Sequence, residues 1–86
     1  MPVVVEVLGD IDLTQLGARL REAREAAGIT QTQLAWRCHY NLATYNRLEA
    51  GMAKGLRAVT LARLAQAFGV STDWLLGLSA DPRPRQ

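Results

Sequence analysis

Between Thr30 and Gly51 the chain starts two helices in close succession, and this spacing constrains the fold more than any other feature. Thr30-Gln31-Thr32-Gln33 has the form of a capping box, in which hydroxyl and glutamine side chains exchange hydrogen bonds with the backbone across the first turn. The helix it opens is short, about residues 31–38, with Leu34, Ala35 and Cys38 on one face. His39-Tyr40-Asn41 interrupts the pattern. Asn41 is a good N-cap for a third helix over about 42–50, with Tyr45 and Leu48 inward and Gly51 after its end. Two short helices joined by about three residues cross steeply, and the crossing needs a small side chain at the junction. Ala35 meets that need.

The flanks are also helical in pattern. Leu13, Leu16, Leu20, Ala23 and Ala27 form a stripe for a first helix over about 13–27, with Asp12 and Gln15 placed like a capping box and Gly28 as the stop. After the loop Met52 to Arg57, Leu61, Leu64, Ala65 and Phe68 mark a fourth helix stopped by Gly69. Ser71 caps a fifth, containing Trp74 and Leu75. Residues 1–12 form an arm whose valine run is a possible edge strand. Residues 79–86 carry two prolines and no apolar period, which predicts a loose tail. The 86 residues, 49% of them apolar, make one small all-α domain over 13–78 rather than a disordered chain.

A single cysteine, Cys38, excludes an internal disulfide and the usual structural zinc ligand sets, and it favours a reducing, cytoplasmic setting. No basic leader or long apolar run is present, so neither export nor membrane spanning is expected. The net charge of +2 conceals a gradient. Arg37, Arg47, Lys54, Arg57 and Arg63 in residues 31–63 face Glu49 alone, whereas residues 1–30 are net acidic and residues 64–86 balance. A basic centre between acidic or neutral arms suits a polyanion-binding face. The third helix turns Leu42, Ala43, Asn46 and Arg47 outward on one side, as a helix that enters a DNA groove does.

Residues 13–78 resemble the phage-repressor and Cro family of helix-turn-helix domains, also called the Xre family. The resemblance rests on Gly28-Ile29-Thr30-Gln31-Thr32-Gln33-Leu34-Ala35, on Tyr45-Asn46-Arg47-Leu48-Glu49-Ala50-Gly51, on the run Leu64 to Ser71, and on Asp73-Trp74-Leu75-Leu76. It implies a compact five-helix, lambda-repressor-like bundle that binds double-stranded DNA. It further implies that Gln31 grips a phosphate, that Arg24 pairs with Glu49 as a structural ion pair, and that Lys54 and Arg57 contact phosphates beside the groove. Arg47 is the candidate for reading guanine, with a phosphate contact as its alternative. Asn46 can pair with adenine or backbone, and the Thr44 hydroxyl can reach a phosphate or close the cap beside Asn41, itself counted with the DNA-facing residues. The sequence departs from the family pattern at Leu42 and Ala43, where polar base-contacting residues are common. Contact with thymine methyl groups and mere groove filling are the two readings. It departs again at His39, where relatives usually place a left-handed glycine.

The leading expectation is a sequence-specific DNA-binding regulator, in the manner of a repressor, bound as a homodimer to a palindromic operator. Val3, Val5 and Val7 of the arm and Trp74, Leu75 and Leu78 near the C-terminal end are the candidate dimer contacts. The rival is a protein-interaction module such as an antitoxin or adaptor, to which an outward Trp36 lends support. With one histidine and no convergent carboxylates an enzyme is not expected, and neither is a cofactor or a metal.

Overall fold

The apolar stripe that begins at Leu13 folds as α1 (Thr14–Ala27) in the computed structural model, which describes residues 13–84. The arm valines and Asp12 lie outside the described residues. Leu13 stands at the N-cap with no side-chain hydrogen bond, and Gln15 lies against Gly77; the expected box with Asp12 falls outside the described residues. At the other end Gly28 takes φ 71°, and the N–H groups of Gly28 and Ile29 return to the Glu25 and Arg24 carbonyls.

The box at Thr30 forms in both directions, with Gln33 N–H donating to Thr30 Oγ1 over 3.0 Å and Thr30 N–H donating to Gln33 Oε1 over 2.9 Å. It opens α2 (Gln31–Arg37). His39, at φ 52°, is the only non-glycine residue with positive φ among those described, and it turns the chain so that Tyr40 N–H reaches the Ala35 carbonyl at 2.8 Å. Asn41 Oδ1 then caps α3 (Leu42–Glu49) by accepting from Thr44 N–H. Next come α4 (Ala58–Phe68), ended by Gly69, and α5 (Thr72–Leu75), capped by Ser71. The described residues form five helices and no strand.

These helices enclose one core of Leu16, Leu20, Leu34, Cys38, Tyr45, Leu48, Leu64, Ala65, Trp74 and Leu75. α1 packs against α3, α4 and α5, and α2 packs against α3. Burial of Trp74 and Leu75 corrects the expectation that they serve a dimer, since both are spent holding α5 to α1; Leu76 and Leu78 remain exposed. The junction residue Ala35 is buried, as the steep α2 to α3 crossing requires.

The C-terminal segment is not the loose tail its composition suggests, at least as far as Pro84. Its Pro82 carbonyl accepts from Ser71 N–H at 2.9 Å. Pro82 also helps line an apolar hollow with Ala23, Ala27, Phe68, Val70 and Trp74. Arg19 donates to the Ser79 carbonyl at 2.8 Å and to the Trp74 carbonyl, with its guanidinium over the Trp74 ring at 5.0 Å. The segment is held by backbone carbonyls and a proline ring on a surface built by other elements, so its own lack of apolar periodicity is no measure of its order.

Candidate nucleic-acid interface

α3 is two-faced by register. Tyr45 and Leu48 are fully buried against the core, while Leu42, Ala43, Thr44, Asn46 and Arg47 are exposed. Residues four apart lie above one another on a helix, so Leu42 stands over Asn46 and Ala43 over Arg47. The outward surface therefore has an apolar N-terminal half and a polar C-terminal half.

The polar groups at the start of α3 are turned inward to the backbone. Asn41 Oδ1 accepts from both Thr44 N–H at 3.0 Å and Thr44 Oγ1 at 3.3 Å. Of the two roles open to the Thr44 hydroxyl, the structure fills the cap.

A charged cluster fixes the other end of α3. Arg24 Nε donates to Glu49 Oε2 at 2.6 Å and Arg24 Nη2 to Glu49 Oε1 at 3.1 Å, a bidentate fork between side chains only 13% and 4% exposed. Arg24 Nη1 also donates to the Ile29 carbonyl at 2.9 Å, tying the α1 to α2 loop into the cluster. The expected ion pair is therefore present. Gln31 joins it, its Nε2 donating to Glu49 Oε1 at 3.0 Å. This placement differs from a side chain reaching straight for phosphate, although an amide NH2 carries a second N–H that Glu49 Oε1 does not use.

The electrostatics follow from that crowding. Burial pushes the Glu49 carboxyl up, but hydrogen bonding from Arg24 and Gln31, with the Tyr45 hydroxyl close by, outweighs it and holds Glu49 below the usual carboxylate range. The Arg24 guanidinium is raised, chiefly by its bond to Glu49. Burial, then the facing Glu49 carboxylate, drives the Tyr45 phenol far above its ordinary value, and its hydroxyl makes no hydrogen bond of regular geometry.

Lys54 and Arg57 follow α3 in the loop to α4, both exposed, with Arg57 at the N-cap position of α4. Neither they nor Arg47 form an ion pair among the described residues, so their charges are available to an anion. Cys38 is buried as expected, and burial pushes its thiol up against a smaller opposing pull from Arg63. Trp36, 80% exposed, points away from the core of α2.

Sequence reasoning overlooked Gly17, which positions the whole surface. A Cβ there would lie 2.4 Å from the Leu48 carbonyl oxygen and 2.6 Å from that of Glu49, so only glycine lets α1 come this close to the end of α3. The available signal was a glycine inside an otherwise regular helical stripe, which costs about 1 kcal/mol against alanine and so calls for a packing reason. Arg19, which holds the C-terminal segment, carried no comparable signal.

A short capped helix, a tight left-handed turn and a second helix with one exposed face, clamped at its far end, define a helix-turn-helix unit. Residues 15–83 match the family described as the helix-turn-helix domain. The chain is 40% identical over 65 residues to the HTH-type transcriptional regulator ImmR of Bacillus subtilis, covering 72% of this chain and 48% of ImmR. It is 39% identical over 69 residues to the uncharacterized HTH-type transcriptional regulator YobD of the same organism, covering 78% and 59% respectively. It thus spans only about half the length of these curated relatives. Among solved structures, the restriction-modification controller protein C.AhdI from Aeromonas hydrophila superposes with a TM-score of 0.67 at 31% identity, over 74% of this chain and 96% of the controller. The chain belongs to the helix-turn-helix domain family, in its phage-repressor and Cro (Xre) branch. No helix among the described residues is long and apolar enough to cross a membrane.

Proposed function

We propose that this chain is the DNA-reading domain of a transcriptional regulator, acting as a homodimer on a palindromic operator and repressing by occupying it. The observation that carries the reading is α3 itself: an exposed face ending in an unpaired Arg47, set rigidly by the buried Arg24 to Glu49 fork. Arg47 takes guanine O6 and N7 and Asn46 an adjacent adenine, each good bidentate pair being worth about 1–3 kcal/mol of discrimination. Lys54, Arg57 and the second N–H of Gln31 hold phosphates, each neutralised phosphate adding to the salt dependence. Exposed Leu76 and Leu78 offer apolar surface to a second copy.

Enrichment of random duplex DNA by the purified protein, over a salt series, tests this. The expected result is a two-fold symmetric motif, with Arg47→Ala relaxing selectivity at one base step and Lys54→Ala lowering the salt slope by about one without changing the motif. Unselective binding, unaltered by Arg47→Ala, would overturn it. One observation favours a second reading, a protein-interaction module: Trp36 is too exposed to serve the core. On that reading Trp36→Ala abolishes partner binding and Arg47→Ala leaves it intact.

A further inference from the structure

We infer that Leu42 and Ala43 read the 5-methyl groups of thymine in the major groove, so that this chain selects its sites partly by pyrimidine methylation rather than by hydrogen bonding alone. The inference rests on α3 being a DNA-recognition helix, and it names what the apolar half of that helix recognises.

Three features converge on it. The first two outward residues of α3, which enter the groove foremost, have no polar side-chain atom, and Leu42 is 38% exposed in a helix whose other leucine, Leu48, is fully buried. The polar atoms that close the caps beside the pair are already engaged. Asn41 Oδ1 and the Thr44 hydroxyl are bonded to one another in the cap, and the Gln31 amide to Glu49. Among the outward side chains within α3, direct hydrogen bonding to base edges thus falls to Asn46 and Arg47, one turn further on. Third, the apolar pair shares one helix face with Asn46 and the unpaired Arg47, so the occupant must be anionic overall yet offer apolar points at one end of the contact. Duplex DNA answers that description in one way: among the four bases only thymine carries a methyl group on its major-groove edge. Ala43, with a single methyl, permits close approach, and Leu42 supplies the larger contact. The half-site expected is therefore one or two thymines beside the guanine that Arg47 contacts.

The test replaces thymine by deoxyuridine, which removes the methyl and keeps pairing and hydrogen-bonding edges intact. The duplex most enriched from the random library is resynthesised with deoxyuridine at each thymine in turn, and affinities are measured for the native chain, Leu42→Ala and Ala43→Gly. At one or two positions per half-site the native chain should lose about three- to fivefold per methyl. Leu42→Ala should bind the thymine duplex more weakly and lose no further affinity on deoxyuridine replacement at its own position. Leu42 is exposed, so the variant keeps its core; helical circular dichroism on Ala43→Gly guards against a change in α3 itself. A selective motif whose affinity is indifferent to every deoxyuridine replacement overturns the methyl readout while leaving the DNA-reading function standing. Failure to enrich any motif overturns both.

Discussion

Gly17 shows how a single missing methyl governs the geometry of the recognition helix. With Leu48 and Glu49 carbonyls under 3 Å from the position a Cβ would take, the obstacle is backbone and cannot rotate aside. Gly17→Ala should therefore lose about 1–3 kcal/mol, despite alanine's better helix propensity, read as a lower urea midpoint at unchanged slope. The same end of α3 carries a pH signature. Glu49 titrates below its ordinary range in the folded chain, so its contribution is fully present above the unfolded carboxylate value and is lost as pH falls through the depressed folded one. Glu49→Gln should cost about 3 kcal/mol near neutrality, because Arg24 is left buried without its partner. The gap between native and variant should close as pH falls through and below the ordinary carboxylate range, toward the depressed folded value. Asp81, also depressed beside Arg83, is present in both proteins and cancels in the difference. A gap independent of pH would mean that shape rather than charge holds the pair together.

At the scale of elements, what was legible in the sequence was punctuation. Thr30, Asn41 and Ser71 cap α2, α3 and α5 as their residue types require, and Gly28, Gly51 and Gly69 take the positive φ their positions imply. Each of these signals is local, so it survives without knowledge of the tertiary fold. At the start of α1, Gln15 makes a long-range contact with Gly77 that no local rule foresees. Thr30→Ala removes the acceptor for Gln33 N–H and should cost about 1 kcal/mol, visible in thermal unfolding. The turn between α2 and α3 offers the opposite change. His39 sits at φ 52°, a conformation that costs non-glycine residues about 1–2 kcal/mol, and a glycine there relieves it at some expense in unfolded-chain entropy. His39→Gly should raise the melting temperature, and His39→Val should lower it. If both were neutral, the turn would not be strained.

The whole molecule was legible in its order of helices and in its clamp, because both follow from periodicity and from a motif. Contacts between distant segments were not. The Arg24 to Glu49 contact was found only because the motif pairs them, whereas the contacts of Arg19 with Trp74 and Ser79 and of Pro82 with Ser71 follow from no pattern that sequence spacing reveals. The misreading of residues 79–84 as loose has a physical origin: a segment without an apolar stripe can still be ordered when a groove and unpaired backbone groups already exist to receive it. Here the Ser71 N–H, just ahead of α5, needs an acceptor, and the Pro82 carbonyl supplies it. Removing residues 80–86 should expose the hollow between Ala23, Phe68 and Val70 and orphan that N–H. In a domain this small, a loss of about 1–2 kcal/mol lowers the melting temperature by about 4–15 °C. Because the segment's contacts run to α1 and to the residues around α4 and α5, DNA affinity per folded molecule should be unchanged by the truncation. A melting temperature unaffected by it would show that these contacts add nothing to the fold, and a loss of affinity at full folding would place the C-terminal segment in the DNA-binding surface instead.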